Sequence, residues 1–305
     1  MNSTSLNLFK TVAETGSIAA AARNLHCVAS NVTTRLKQLE ASLDVSLFVR
    51  ERNRLHITPE GELLLRYANK ILALLDEATL SMQATKAAGP LRIGAMETTA
   101  AVRLPSLLAD FHREMPAVEL NLKTSPTEQL VQQVIDSELD IAFVADHNGL
   151  YTENSPLQTQ ILCQEKLVLV TTAEHQDVRT GADLQVTRPL VFVKGCNYRS
   201  RLKQWLQSQA VACSAPLEFG SFQAILGCVS AGMGIALLPE SVVRQYESHF
   251  PIRSHPIAPQ TGQVNTMMIW RKNREISRVL NCFVSFIAKS ELQPRSLAEK
   301  VKICR

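Results

Sequence analysis

The stretch from Thr58 to Pro90 constrains this chain most. Thr58-Pro59-Glu60-Gly61-Glu62 carries the end signals of a helix: a capping Thr, Pro at the first helical position and acids in the first turn. Leu64, Ala68, Ile71, Leu75, Ala78 and Met82 then step by alternating fours and threes, the spacing of a coiled-coil seam, until Ala87-Ala88-Gly89-Pro90 closes the run. Such a helix over residues 59–88 separates a front segment, 1–58, from a rear segment, 89–305, and each must build its own core. An apolar seam left in water costs roughly 25 cal/mol per Å². The seam therefore predicts a second copy of the same helix as partner, giving a homodimer, or a homotetramer of paired dimers.

In front of it, Leu6, Phe9 and Ala13 share one helix face, and Gly16 supplies a stop. Ser17 stands as N-cap to a short helix that runs through four alanines to Leu25, a surface small enough for close approach by another helix. Either Ser30 or Asn31 caps a third helix to about Leu43, with Val32, Leu36 and Leu39 inward and Thr33, Thr34, Arg35 and Lys37 outward. Leu47-Phe48-Val49 and Leu55-His56-Ile57 are β-prone runs flanking the charged segment Arg50 to Arg54, which reads as a hairpin. The front segment is thus an all-α winged helix-turn-helix.

Behind Pro90 the periodicity changes. Short apolar runs (Leu91–Ala95, Glu119–Leu122, Ile141–Val144, Leu167–Val170, Leu190–Val193, Ile235–Leu238, Thr266–Trp270) alternate with amphipathic stretches at Leu104–Phe111, Leu130–Ile135, Arg201–Leu206 and Ile225–Val229. Alternation of this kind implies mostly parallel sheets covered by helices. About two hundred residues are many for one sheet, so two lobes are expected: lobe I at about 91–161 and 265–290, lobe II at about 162–264, with crossings near Leu162 and Val264.

Composition excludes more than it identifies. A net charge of +4 is too mild to announce nucleic-acid binding, but positive charge thickens locally at Arg35 and Lys37, at Arg50, Arg52 and Arg54, and at Arg271, Lys272 and Arg274. The 7 cysteines are odd in number and scattered, with no C-x-x-C pair and no His at ligand spacing, which predicts a reducing compartment and no metal. The sequence has no leader-like start and no run of roughly 18 apolar residues, so a cytoplasmic protein without membrane spans is expected. The 7 histidines fall into no triad or cluster by spacing, and no phosphate loop or nucleophile elbow is present. No catalytic residue and no cofactor are expected.

From Leu6 to Ala288 the chain resembles the LysR-type transcriptional regulators. Phe9, Val12, Ala13, Gly16, Ser17, Ala20-Ala21-Ala22, Leu25, Leu36, Leu39-Glu40, Leu47-Phe48, Arg50, Thr58 and Gly61 stand in that family's order. Asp140-Ile141-Ala142-Phe143 and Ala231-Gly232-Met233-Gly234-Ile235-Ala236-Leu237-Leu238-Pro239 are similar to its sensor signatures. The resemblance implies promoter DNA and a small-molecule effector as partners, with a periplasmic-binding-protein-like α/β sensor. Glu97 to Pro105, Ser30 to Arg35 and Cys196 to Arg199 look similar to regulators of putrescine and related amine catabolism.

On that footing the third helix is the recognition helix, and Ser30, Asn31, Thr33, Thr34, Arg35 and Lys37 face the major groove. Threonines meet base edges or thymine methyls, Asn31 suits adenine, and the basic residues reach guanine or phosphate. Arg50, Arg52 and Arg54 of the wing bind backbone or minor groove. Val28-Ala29-Ser30 replaces the family's common Ser-Gln-Pro, so the usual base-reading Gln is missing.

The effector belongs between the lobes, at strand carboxyl ends and helix N-termini. Candidates are Glu97, Thr98 and Thr99, Thr124 and Ser125, Cys196, Tyr198 and Arg199 with Lys194, and Ser221 and Phe222 before Gln223. Arg199 favours a carboxylate; Glu97, if it faces the cleft, favours an amine, which suits an amino acid, a diamine or an amine-catabolism intermediate. The effector is therefore expected to be a carboxylate, an amino acid or an amine-pathway metabolite. Cys196 lies in the loop region that resembles the redox-active segment of the family's peroxide sensors, which leaves a cysteine-based redox regulator as one alternative. A free-standing solute-binding protein is the other, though it would not need the wing or the long helix.

Overall fold

Local chemistry sets the front of the chain. In this computed structural model, which describes residues 1–51, 54–83, 88–146, 155–272 and 277–290, α1 (Ser3–Thr15) opens on a reciprocal pair. Asn2 Oδ1 accepts from the Ser5 N–H at 2.9 Å while Ser5 Oγ accepts from the Asn2 N–H at 3.0 Å. It ends at Gly16, whose φ of 61° is the left-handed conformation that a residue without Cβ adopts most cheaply. Ser17 caps α2 (Ile18–Asn24) by accepting from the Ala20 N–H. The hairpin forms as β1 (Phe48–Glu51) and β2 (Arg54–Ile57), antiparallel, with Phe48 opposite Ile57.

The third helix corrects an expectation. α3 (Ala29–Leu43) starts before both proposed caps, and its N-cap is Val28, which offers no side-chain hydrogen bond. The chain reaches it through His26 at φ 50°, with the Cys27 N–H still bonded to Ala22 O. The preceding helix therefore fixes the entry, and Ser30 and Asn31 fall inside the first turn.

α4 (Pro59–Gln83) is anchored as its sequence predicts: Thr58 Oγ1 accepts from the Gly61 N–H at 3.0 Å and donates to Ser46 O at 2.7 Å. Its seam is corrected in part. Leu64, Ala68 and Ile71, together with Leu65 and Leu72, pack into the front core of Leu6, Phe9, Val12, Leu36 and Leu39. The apolar side chains left exposed include Leu63, Tyr67, Leu74 and Leu75, a stripe set largely one residue ahead of the expected one. The front core is small, so it recruits the near face of the helix; the Met82 side chain lies outside the described residues.

The chain divides into two compact units, 1–85 with 136–138 and the remainder. In the second unit β3 (Gly89–Ala95) pairs in parallel with β4 (Val118–Thr124) and β5 (Ile141–Ala145), linked by α5 (Glu97–Val102), α6 (Leu104–Glu114) and α7 (Thr127–Ile135). β6 (Leu157–Thr172) is a single 16-residue strand, far longer than the apolar run Leu167–Val170. Its first part is polar on alternate positions, Gln158, Gln160 and Gln164 among them, so it shows no continuous apolar run.

The remaining elements are β7 (Leu190–Phe192), α8 (Asn197–Ser208), β8 (Leu217–Phe219), α9 (Phe222–Ser230), β9 (Ala236–Pro239), α10 (Glu240–Tyr246), β10 (Ile252–Pro256), α11 (Pro259–Gly262), β11 (Gln263–Arg271) and α12 (Arg278–Lys289). The expected mostly parallel sheets are mixed. Parallel pairing joins β3 to β4 and β5 and β7 to β8, whereas β11 pairs antiparallel with β5 and β6, and β6 antiparallel with β9 and β10. A chain that leaves one lobe and returns must run back beside itself, and that return is what a strand-helix alternation does not reveal.

The crossing is one ribbon. β6 and β11 pair from Lys166↔Gln263 to Leu157↔Arg271, with a register shift between Thr266, opposite Cys163, and Met267, opposite Ile161. Leu162 is the extra residue of that bulge. Lobe I buries Leu91, Ile93, Phe111 and Phe143 around Phe283 of α12, which stands edge-on to Phe111 at 4.8 Å. Lobe II buries Val168, Leu190, Phe222, Leu226 and Leu238. A further cluster runs across both, from Leu130 and Val134 of α7 to Leu202 and Trp205 of α8. Among the described residues no helix is long and apolar enough to cross a membrane.

Candidate functional site

α3 presents two unlike faces. Val32, Leu36 and Leu39 at i, i+4 and i+7 are buried, which leaves Ser30, Asn31, Thr34, Arg35, Lys37 and Gln38 exposed on the other side. Thr33 is half-buried and donates its hydroxyl to Ala29 O at 2.9 Å. Arg35, Lys37 and the exposed Arg50 have no carboxylate within ion-pairing distance among the described residues, so their charge is available to phosphate. Glu40 holds the hairpin to the helix: its Oε1 accepts from Leu47 N–H at 2.8 Å and Phe48 N–H at 3.4 Å. Arg52 and the side chain of Arg54 lie outside the described residues. Val28, one of the residues that replace the family's Ser-Gln-Pro, is 66% exposed at the start of α3 and offers its methyl groups beside Ser30.

The rear unit holds a cavity of about 140 Å³ between its lobes. Glu97, Thr98, Thr124, Ser125, Cys196 and Tyr198 line it as the sequence places them, and Met96, Thr127, Phe192 and Val193 join them. Met96, Phe192 and Val193 are invisible in sequence because apolar residues beside strand ends look like core, and Thr127 reads as an ordinary first-turn residue of α7. Thr98 Oγ1 is buried and makes no well-formed hydrogen bond, although the Tyr198 hydroxyl lies toward it. Burial holds the Tyr198 phenol neutral.

Five candidates do not line it. Thr99 is buried elsewhere, and Phe222 is a lobe II core residue whose ring meets Tyr246 at 5.0 Å. Ser221 caps α9 by accepting from the Gln223 N–H. Arg199 is paired: its Nη1 lies 2.6 Å from Glu218 Oε1 and also donates to Phe192 O at 3.3 Å. The expected fork for a ligand carboxylate is thus closed by Glu218, which the parallel pairing of β7 and β8 sets beside Val191. Lys194 is exposed and lines no part of the cavity.

Among the described residues Glu97 is the only charged one in that lining. Its Oε2 accepts from the Phe222 N–H at 2.9 Å, so a carboxylate of lobe I occupies the N-terminus of a lobe II helix. Burial raises its pKa, while the hydrogen bonds from the Phe222 N–H and from Ser221 lower it. A second interlobe contact sits nearer the ribbon. Arg103, between α5 and α6, holds Glu165 of β6 with two bonds, Nε to Oε1 at 2.8 Å and Nη2 to Oε2 at 3.0 Å, and Ser241 of α10 donates to the same Oε2 at 3.1 Å.

Neither Cys196 nor Cys163 is an activated thiol. Burial pushes Cys196 up, against N–H groups of Arg199 and Tyr198 and the Arg199 charge, and pushes Cys163, beside Glu165, up to about 11. Among the described residues no cluster of His, Cys, Asp and Glu could hold a metal ion.

A family model for the LysR substrate binding domain matches residues 84–291, and one for the bacterial regulatory helix-turn-helix protein of the lysR family matches residues 3–62. The chain belongs to the LysR family. The HTH-type transcriptional regulator GltR of Bacillus subtilis (strain 168) is 43% identical over 286 residues, 93% of this chain and 95% of that one. YusT of the same organism, an uncharacterised HTH-type transcriptional regulator, is 41% identical over 302 residues, 97% and 100% of the two chains. Among solved structures, a full-length OxyR variant from Pseudomonas aeruginosa shares the fold at a TM-score of 0.71 and 23% identity, over 96% of this chain and 99% of that one. Full-length CbnR complexed with its target DNA does so at 0.67 and 22%, over 94% and 99%. This LysR-family chain is a DNA-binding transcriptional regulator with an effector-binding domain, and not an enzyme. The narrower likeness to amine-catabolism regulators rests on the three segments quoted above, and the names of these relatives do not add to it.

Proposed function

We propose that this regulator acts in the cytoplasm as a homodimer, or a pair of dimers, reading promoter DNA with α3 and the wing. In this reading Thr34, Arg35, Lys37 and Asn31 contact the major groove and Arg50, Arg52 and Arg54 the backbone. The exposed stripe of Leu63, Tyr67 and Leu74 supports dimerisation through residues 59–88. The effector lies in the cavity between lobe I and lobe II, residues 162–264.

One observation carries the effector class. Among the described residues Glu97 is the cavity's only charged lining residue and already fills the anion position at α9, while the rest of the described lining adds hydroxyls and apolar surface but no cation. A ligand carboxylate would meet Glu97 unshielded, whereas a small amine pairs with it, and an uncharged molecule can use the unsatisfied Thr98 hydroxyl. The effector is therefore a small amine-bearing or uncharged molecule. A ligand shifts DNA binding only through its preference for one arrangement of the lobes.

The test is thermal unfolding of the full chain against small amines, alcohols and acids, followed by selection from a random duplex pool with and without the best compound. An amine or neutral compound that raises the midpoint in the wild type and at least tenfold less potently in Glu97→Gln supports the reading. A carboxylate that binds equally well to both proteins overturns it. Redox sensing is the weaker reading, because desolvation raises the pKa of the half-buried Cys196 and keeps it a thiol.

A further inference from the structure

Thr127 and Cys196 form a wall with a cavity on each side. Beyond the effector cavity lies a second one of about 400 Å³, lined from lobe I by Glu128 and Asp146 and from lobe II by Asn197, Arg201 and Gln260. That volume is toward the lower end of the roughly 300–1,000 Å³ typical of small-molecule sites.

Arg201 is the unusual member. It is half-buried, yet its bonds go to neutral acceptors, Nε to Asn197 Oδ1 at 2.7 Å and Nη1 to Thr261 O at 3.1 Å. Among the described residues no carboxylate lies within ion-pairing distance of it. A guanidinium has five N–H donors, and the two bonds above leave three without a partner among the described residues. A glutamine could brace a carbonyl without the desolvation cost of a charge, so bracing alone does not account for an arginine. Burial lowers the Arg201 pKa, and the charge of Asp146 offsets this without pairing.

The opposite wall carries the other sign. Asp146 Oδ2 accepts from Asn265 Nδ2 at 3.3 Å, and Glu128 is exposed on the first turn of α7. Asn197 joins the walls, since its Nδ2 donates to Asp146 O at 3.0 Å while its Oδ1 accepts from Arg201. Whatever engages Arg201 therefore bears directly on the junction of the lobes.

We propose that this cavity is a second ligand site, for a free amino acid bound as its zwitterion, with the carboxylate on the unused N–H groups of Arg201 and the ammonium toward Glu128 and Asp146. A simple anion would face two carboxylates and a simple cation would face the guanidinium; a zwitterion meets both signs with their complements. This inference goes beyond the effector cavity and does not depend on what fills it.

Isothermal titration of the full chain with each common amino acid, and with the methyl ester and N-acetyl form of any that binds, tests it. At least one amino acid binds, and both blocked forms bind at least tenfold more weakly. Arg201→Gln loses at least tenfold and Glu128→Gln, an exposed position that cannot unfold the lobe, at least threefold. The proposal is overturned if no amino acid binds the wild type, if the blocked forms bind as well, or if Thr98→Val abolishes binding that Arg201→Gln keeps, since the ligand would then sit in the first cavity. If the amino acids fail while a small amine still raises the unfolding midpoint, only this inference falls and the reading of the first cavity stands.

Discussion

Removing the charge of Glu165 tests whether the Arg103 pair holds the lobes together. The Glu165 side chain is 7% exposed and that of Arg103 29%, so Glu165→Gln leaves a guanidinium that can regain part of its water. Breaking a fully buried pair costs about 3–5 kcal/mol, and the exposure of Arg103 reduces this to roughly 2–3 kcal/mol. At about 2–4 °C per kcal/mol for a unit of this size, the sensor transition falls by about 4–12 °C. Arg103→Met costs more, because it strands the more buried partner with only Ser241 as a strong donor. The double variant Arg103→Met with Glu165→Leu recovers most of the loss, since apolar replacement of both partners leaves no uncompensated charge. Circular dichroism melts of the wild type, Arg103→Met, Glu165→Leu and the double variant give the coupling energy; a value under about 0.5 kcal/mol, the scatter expected of independent sites, refutes the reasoning.

Gly61→Ala would place a Cβ 2.3 Å from Leu47 O and 2.6 Å from Ile57 Cγ1. A backbone carbonyl cannot swing aside, so overpacking of about 1–3 kcal/mol falls on the wing. Selected duplexes should bind it at least tenfold more weakly, while small-molecule shifts of the sensor transition persist. His255, 2% exposed, accepts the Val178 N–H on Nδ1 and meets Thr171 Oγ1 with Nε2, and burial, aided by His175, lowers its pKa from 6.5. The unfolded chain then takes the proton first, so this contribution is intact above pH 6.5. It falls by up to about 1.4 kcal/mol per pH unit below that, until the folded state also protonates; urea midpoints from pH 7.5 to 5 measure it, and His255→Gln should flatten the slope. Iodoacetamide at pH 8 should label exposed Cys213 well ahead of Cys196, as mass spectrometry of peptides would show.

What the sequence disclosed was mainly local. Gly16, Ser17 and the Thr58-Pro59 pair act within a few residues of themselves, so their end signals could be read directly, and the wing follows from two β-prone runs around a charged turn. What it hid was decided by distant partners. Glu97 meets Phe222, and Arg199 meets Glu218 only because β7 and β8 align. Val28 became a cap because α2 fixes the entry to α3. Half of the α4 seam turned inward because a small core needed it, and Arg201 drew no notice because one arginine on an amphipathic helix looks like surface.

The bulge at Leu162 also sets the mechanics. Both crossings between the lobes belong to one hydrogen-bonded ribbon, which resists shear along its length but yields to twisting about it. A bulge concentrates that twist at one point. Any relative motion of the lobes must therefore wind this ribbon while working against the Glu97–Phe222 and Arg103–Glu165 contacts that also join them.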